Sequence, residues 1–408
     1  MEQQEIIPHL FRTEYRKIVS VLCRHFGFGQ IEIAEDLASD TFVTAAQTWA
    51  IKGLPPNPTA WLYNVAKNKA KNYLRRNAVF ESKVSAEIQR ISAELYETAI
   101  DLSPQNINDS QLQMMFAICH PSISAEAQIG LSLRILCGFG IEEIADAFLS
   151  NKETVNKRLF RAKEKLREQN IRIELPGEAE IDARLAPVLT TIYLLFNEGY
   201  YSESRNKTLR KDLCLEAMRL CTMLVENRQT NKPAVNALLS LMCFHTSRFE
   251  ARINKNGEQV LYDEQDTSLW DPELISKGAY FLHCAASGTE LSKYHLEATI
   301  AYWRTQKADT REKWESVLHL YDQLLQIEYS PIAALNRVYV LSKVKGKQSA
   351  ILEAEKLNLT GNHFYFTLLG ELYTDIDNKQ AKLYFQKALS LAKTTTDKQT
   401  IQKKIDAF

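Results

Sequence analysis

The chain has 408 residues, 45% of them hydrophobic, and its 50 Lys+Arg are balanced by 50 Asp+Glu for a formal net charge of zero. That length supports two or three domains, and the neutral balance means that overall charge gives no hint of a nucleic-acid partner. The balance also holds locally: residues 1–176 carry 21 basic and 21 acidic residues, and the remainder carry 29 and 29.

Gly (14) and Pro (11) together reach only about half their usual share. Apolar residues recur at helical spacing over most of the length, and no long β-branched alternating runs appear. The pattern predicts an all-α protein. No apolar run approaches the roughly 20 residues needed to cross a bilayer, so no membrane association is expected. The first residues, MEQQEIIPHLFRTEYRKI, carry early acids and no apolar core, which argues against a secretory signal. Seven scattered cysteines, an odd number, argue against a disulfide framework and for a reducing compartment. The expected location is therefore cytoplasmic.

Residues 1–78 read as a helical block ending in a basic helix. In NPTAWLYNVAKNKAKNYLRR, residues 57–76, Asn57 can cap the helix and Pro58 suits its first position. Leu62, Ala66, Ala70 and Tyr73 share an inward face. Asn64, Lys67, Asn68, Lys71, Asn72 and Arg75 form a polar stripe at helical spacing, and Arg76 follows it. The stretch carries five bases and no acid. A solvated face normally mixes signs, whereas a single-sign stripe with interleaved amides suits phosphate and base contact. Trp61, Tyr63 and Tyr73 are candidate stacking surfaces for unpaired bases, each worth roughly 1–3 kcal/mol.

Residues 79–110 are polar and weakly periodic and read as a linker. Residues 111–172 hold a second helical block. Within it IEEIADAFLSNKETVNKRLFRAKEKLR, from 141 to 167, reads as two helices joined by a tight turn, the sequence form of a helix-turn-helix. Ile141, Ile144, Ala145 and Phe148 face inward on the first helix. Leu149, Ser150 and Asn151 make the turn. Either Ser150, paired with Glu153, or Asn151 caps the second helix. Val155, Leu159, Ala162 and Leu166 form that helix's inward stripe. Lys152, Thr154, Asn156, Lys157, Arg158 and Arg161 lie nearer its outer face and N-terminal end, the end that usually meets base edges. From 152 to 167 there are seven bases against two acids.

The stretch IRIELPGEAE marks another boundary, and residues 182–408 are expected to form a larger helical domain. There, AALNRVYVLSK at 333–343 aligns with TLLGELYTDID at 367–377, an offset equal to the tetratricopeptide period. Leu369, Gly370, Tyr373, Ala381, Phe385 and Ala388 sit close to that repeat's packing positions. Cys119 and His120 are too few for a structural metal site, which wants four ligands. Cys214 and Cys221 share a helix face and read as core. Asn197 and Glu198 close an apolar run, with Gly199 as a helix stop. Asp263, Glu264, Asp266 and Asp271 make an acidic patch near Trp270 that reads as a solvated loop. No phosphate loop, metal site, cofactor site or nucleophile-base pairing is found. The chain is not expected to be an enzyme.

The two basic helices carry a resemblance. AEDLASDTFVTAAQTW at 34–49 with PTAWLYNVAKNKAKNYLRR at 58–76 resembles region 2 of extracytoplasmic-function sigma factors of the sigma-70 family. IEEIADAF with TVNKRLFRAKEKLR resembles their region 4. LLFNEGYYSES, DLCLEAMRL, LYDEQDTSLWD and SPIAALNRVYVL resemble the extension of one sigma group that ends in TPR-like repeats. The resemblance implies a non-catalytic promoter-recognition subunit of bacterial RNA polymerase, bound to the polymerase clamp and flap regions. It places Glu35, Asp36, Asp40 and Phe42 on the clamp contact. Ser39 sits where relatives often carry Gln, a departure at that contact. The helix 61–76, with Trp61 and Arg76 at its ends, would hold the melted minus-ten strand. The helix from Lys152 would read the minus-thirty-five duplex. The more than 220 further helical residues carry a separate expectation: the C-terminal domain contacts polymerase or a protein partner of its own and sets whether regions 2 and 4 can engage. The alternative is a one-component helix-turn-helix regulator with a helical sensor, which has no use for the Asn/Lys stripe.

Overall fold

Capping residues set the helix boundaries. Asn57 accepts a hydrogen bond from the Ala60 amide at 2.9 Å through its side chain, and the helix runs from Pro58. Ser103 and Ser124 do the same for the helices that follow them. Asn151, not Ser150, caps the helix from Lys152, accepting from the Thr154 amide at 2.8 Å. The short side chain of Asn151 satisfies an amide that has no partner within the helix.

The computed structural model describes residues 3–82, 100–148, 150–200, 211–252, 260 and 262–408, and among them there is no strand. The expected turn residue Leu149 and most of the expected linker lie outside the described residues. The chain divides into two units, Met1–Leu195 and Phe196–Phe408.

The first unit holds α1 (Gln3–Phe26), α2 (Ile31–Lys52), α3 (Pro58–Ser82), α4 (Pro104–Ile118), α5 (Ala125–Leu131), α6 (Ile141–Ala147), α7 (Lys152–Glu168) and most of α8 (Glu178–Tyr200). Helix α1 packs against α2, α3 and α4. Its Ile18, Val19 and Leu22 are fully buried, as are Ala34, Ala38 and Ala45 of α2 and Leu62, Ala66 and Ala70 of α3. Alanines let the backbones approach closely, and each large apolar side chain so buried contributes about 1.5–3 kcal/mol. Helix α5 continues into a π turn, Ser132–Leu136, closed by the Cys137 amide on the Ser132 carbonyl at 3.1 Å. Helix α7 packs on α5 and α6 through Val155, Leu159, Ala162 and Leu166, all buried. Gly130 makes that approach possible: a β-carbon there would stand 2.8 Å from Leu159 Cδ2.

The second unit continues with α9 (Lys211–Glu226), α10 (Pro233–Thr246), α11 (Pro272–Ala285), α12 (Lys293–Thr305), α13 (Arg311–Ile327), α14 (Pro331–Lys345), α15 (Lys347–Leu357), α16 (His363–Tyr373), α17 (Asn378–Leu391) and α18 (Thr395–Asp406). Sequence neighbours pack on one another: α10 on α11, α13 on α14, α14 on α15, α16 on α17. The aligned stretch 333–343 lies in α14, and 367–377 spans the end of α16 and the turn after it. Leu369, Gly370, Ala381, Phe385 and Ala388 are buried together, with Tyr373 half-buried beside them. The Phe385 ring lies where a β-carbon on residue 370 would stand, at 2.7 Å, so only glycine fits.

Several local expectations change. Gly199 does not stop a helix, because α8 runs through it to Tyr200. Asp266 and Asp271 of the acidic patch are caps, accepting from the Ser268 amide and from the Glu273 and Leu274 amides. Their charge is thus directed at helix N-termini, which favour anions. Cys119 follows the end of α4, and its buried thiol donates to Thr191 at 3.5 Å, while His120 pairs with Ser122. Burial pushes the Cys119 thiol up to about 11, which makes it a packing group. Cys214 and Cys221 are core. Among the described residues no group of three or more His, Cys, Asp or Glu could hold a metal, and no helix is long and apolar enough to cross a membrane.

Candidate nucleic-acid interface

Helix α3 presents the Asn/Lys stripe outward. Asn64, Asn68, Asn72, Arg75 and Arg76 are exposed, and Lys67 and Lys71 are half-buried. The inward side is fixed by Leu62, Ala66 and Ala70, so helical periodicity alone turns the stripe to solvent. Among the described residues Lys67, Lys71, Arg75 and Arg76 form no ion pair, while the neighbouring Lys69 reaches Asp40 of α2 at 4.0 Å. The potential along the stripe is therefore not cancelled locally.

The aromatic residues of α3 are held differently. Trp61 is half-buried with its ring centroid 5.2 Å from that of Trp49. The Tyr63 hydroxyl donates to Glu14 at 2.5 Å and the Tyr73 hydroxyl to Gln30 at 3.4 Å. Tyr73 also meets Phe26 edge-on at 5.6 Å. These contacts anchor α3 to α1 and α2, and they leave the amide and cation stripe as the open surface.

Helix α7 exposes Lys152, Thr154, Asn156, Lys157 and Arg161, with Arg158 half-buried. Several of its cations are engaged: Lys152 with Glu142 at 2.7 Å, and Arg158 with Glu126 at 3.1 Å. The Arg158 guanidinium also lies 5.7 Å from the centre of the Phe148 ring. A groove of about 440 Å³ lies beside this face, lined by Ser122, Ser124, Thr154, Lys157, Arg158, Arg161 and Lys165 together with the apolar Ile123, Ala127 and Ala162. Hydroxyls and cations along one groove are the chemistry that tracks a phosphate backbone.

The four residues placed on a polymerase contact by resemblance are separated by the structure. Asp36 and Asp40 are exposed on α2. Phe42 is 4% exposed, packed against Phe11 and Tyr15, and a ring so enclosed offers no surface to another protein in this arrangement. Glu35 is held within the chain. Its carboxylate accepts from Lys163 of α7 at 2.9 Å and lies 3.3 Å from Arg134 of the π turn. Lys163 also reaches Glu32 at 3.6 Å. Lys163 and Glu35 have side chains only 13% and 14% exposed, so solvent screens the pair weakly. Burial, then the charge of Glu35, pushes the Tyr15 phenol up to about 12, which keeps that ring neutral. Lys163 and Arg134 are the residues that sequence reasoning missed, and only their charge could have drawn attention to them.

Residues 10–79 match the family described as Sigma-70 region 2, and residues 184–286 match a family of unknown function (DUF6596). "Uncharacterized protein R00370" of Rhizobium meliloti (strain 1021) is 30% identical over 388 residues, 93% of this chain and 90% of that protein. The ECF RNA polymerase sigma-E factors of Salmonella typhimurium (strain LT2) and Escherichia coli (strain K12) are each 29% identical over 155 residues. Those alignments span 36% of this chain and 78% of each factor. No solved structure matches the chain.

Proposed function

We propose that this chain, which belongs to the sigma-70 family of sigma factors and to one family with the rhizobial protein R00370, directs core RNA polymerase to its promoters as an extracytoplasmic-function type factor. The match to sigma-70 region 2 supports a role in transcription initiation. Three surfaces take part in this reading. The stripe Asn64, Lys67, Asn68, Lys71, Asn72, Arg75 and Arg76 of α3 takes the melted minus-ten strand, with Trp61 bracing its start. Thr154, Asn156, Lys157 and Arg161 of α7, with Lys152 and Arg158 once their acidic partners let go, take the minus-thirty-five duplex. Asp36 and Asp40 meet the polymerase clamp. Residues 1–78 act as region 2, 111–172 as region 4, and 182–408 as a TPR-like regulatory part with a protein partner.

The observation that carries this reading is the exposed, acid-free stripe on α3. A factor that works only on duplex DNA needs one reading helix. A helix with unpaired cations and amides, braced by aromatic anchors, suits a strand whose bases have left the stack. Two modest DNA surfaces held on one polymerase reinforce each other through effective concentration, so neither helix needs extreme charge.

Run-off transcription with core polymerase tests the reading. Promoter-specific transcripts that require both this chain and core polymerase support it. Binding to duplex operators without polymerase, with no specific initiation, would replace it with a one-component regulator.

A further inference from the structure

Helix α7 does not stand clear of the helices that carry the α3 stripe. Its second half rests on them through ion pairs that are mostly out of water. Lys163 reaches Glu35 of α2 at 2.9 Å and Glu32 at 3.6 Å, and the same Glu35 carboxylate lies 3.3 Å from Arg134 of the π turn. Helix α7 also packs on the 3-10 turn Phe28–Gln30 between α1 and α2. There the Arg167 Cδ lies 3.7 Å from where a β-carbon on Gly29 would stand. On the α1 side, Arg24 donates to Asn106 of α4 at 2.7 Å, and α1 packs on both α4 and the π turn.

These joints set a ceiling on how far apart the two DNA surfaces can stand. Along α2, Asp40 is five residues beyond Glu35 and lies 4.0 Å from Lys69, midway along the α3 stripe. From Lys163 back to Thr154, α7 rises about 14 Å at about 1.5 Å per residue. With both ion pairs made and their side chains fully extended, Thr154 stands at most about 50 Å from Lys69. The positions that name the minus-ten and minus-thirty-five elements set them about 25 base pairs apart, which is about 85 Å of straight duplex. Bending the duplex sharply enough to close that gap is itself unfavourable. A chain whose α7 is held on α2 therefore cannot occupy both elements.

We infer that the ion pairs of Glu35 with Lys163 and Arg134 are a latch, which holds α7 against α1 and α2 in the free chain and is opened by core polymerase together with promoter DNA. The inference rests on the reading of α3 and α7 as the minus-ten and minus-thirty-five surfaces. Lys163 and Glu35 are only 13% and 14% exposed, so solvent screens their attraction weakly while the joint is shut. Opening returns both charges to water and adds the Glu35 carboxylate to the exposed acids Asp36 and Asp40 on α2. Polymerase and promoter bind that form better, which is the condition for shifting the equilibrium. Their apparent affinity is lowered by the fraction of chains that are open.

The test is energy transfer between two dyes on the full chain, attached through Gln47→Cys of α2 and Glu153→Cys of α7 in a Cys284→Ser background. Both positions are exposed and outside the residues assigned to DNA or polymerase, and the other six native cysteines are buried. Transfer should be efficient in the free chain and should fall when core polymerase and promoter duplex are added together. Lys163→Gln should bring the midpoint of that fall to an about three- to tenfold lower polymerase concentration, because more of the chain is already open. Arg134→Gln should act in the same direction and serves as the second variant should Lys163→Gln not fold. Unchanged transfer on a promoter that this chain and core polymerase transcribe would overturn the latch and leave the sigma-factor reading standing. A midpoint unmoved in both variants would also overturn it. Absence of any promoter-specific transcript would remove the sigma-factor reading and the latch with it.

Discussion

Helices α3 and α7 are both basic, yet their cations are held in opposite ways. On α3, Lys67, Lys71, Arg75 and Arg76 form no ion pair among the described residues, and the core side is built from small apolar residues. On α7, Lys152, Arg158, Lys163 and Arg167 each contact a glutamate. The difference teaches that counting bases in a helix does not measure its readiness for DNA. A cation that already has a carboxylate must exchange it for phosphate, and the exchange releases fewer condensed counter-ions than a fresh contact does. Lys67, Lys71, Arg75 and Arg76 of α3 thus lack carboxylate partners among the described residues, whereas the cations of α7 are partly committed to the chain's own acids.

Charge reversal on the open stripe is the strongest way to break the contrast. Lys67→Glu, Lys71→Glu and Arg75→Glu together should lower open-complex formation about a hundredfold or more, read by permanganate reactivity of the melted strand. Helical circular dichroism should be unchanged, because none of the three side chains is buried. Next in size, Arg161→Ala should weaken duplex binding about tenfold on every sequence. It should also reduce the slope of log affinity against log salt by about 1, as one lost phosphate contact does. An unchanged slope would mean that Arg161 meets no phosphate.

Smaller effects sharpen the comparison. A double-mutant cycle of Lys163→Gln and Glu35→Gln, followed by urea unfolding, should give a coupling of about 1–2 kcal/mol, since the pair is mostly shielded from water. A coupling near zero would make the pair a surface contact of no consequence. Last, Glu126→Gln frees Arg158 from an acid that is 65% exposed. It should strengthen duplex binding a few-fold, by no more than about 1 kcal/mol, in a fluorescence anisotropy titration.

Much of this contrast was legible in the sequence, and the rest was not for identifiable reasons. Local rules worked where neighbours in sequence are neighbours in space. Asn57 before Pro58 marked a cap, and Leu62, Ala66 and Ala70 marked an inward face. Val155, Leu159, Ala162 and Leu166 described the inward face of α7, although its cap stayed open between Ser150 and Asn151 until the structure placed it on Asn151. Local rules could not show that Lys163 would meet Glu35, which is 128 positions away. Nor could they show that a π turn would bring Arg134 to the same carboxylate. Phe42 was placed on a polymerase contact by resemblance alone, yet cross-helix packing against Phe11 and Tyr15 takes it inside. Gly199 looked like a stop because glycine often is one, yet the surrounding core keeps the helix intact.

Helix α8 has one more property. Its Glu178–Tyr200 span is continuous, although the packing groups on either side part company between Leu195 and Phe196. Melting half of it would expose a fresh set of carbonyls, about four at the new end, with no partners inside the rod. It would also forfeit the cooperativity of every turn beyond the break. Hydrogen exchange should therefore find the amides in the middle of the Glu178–Leu195 stretch slower to open than those of its first turn.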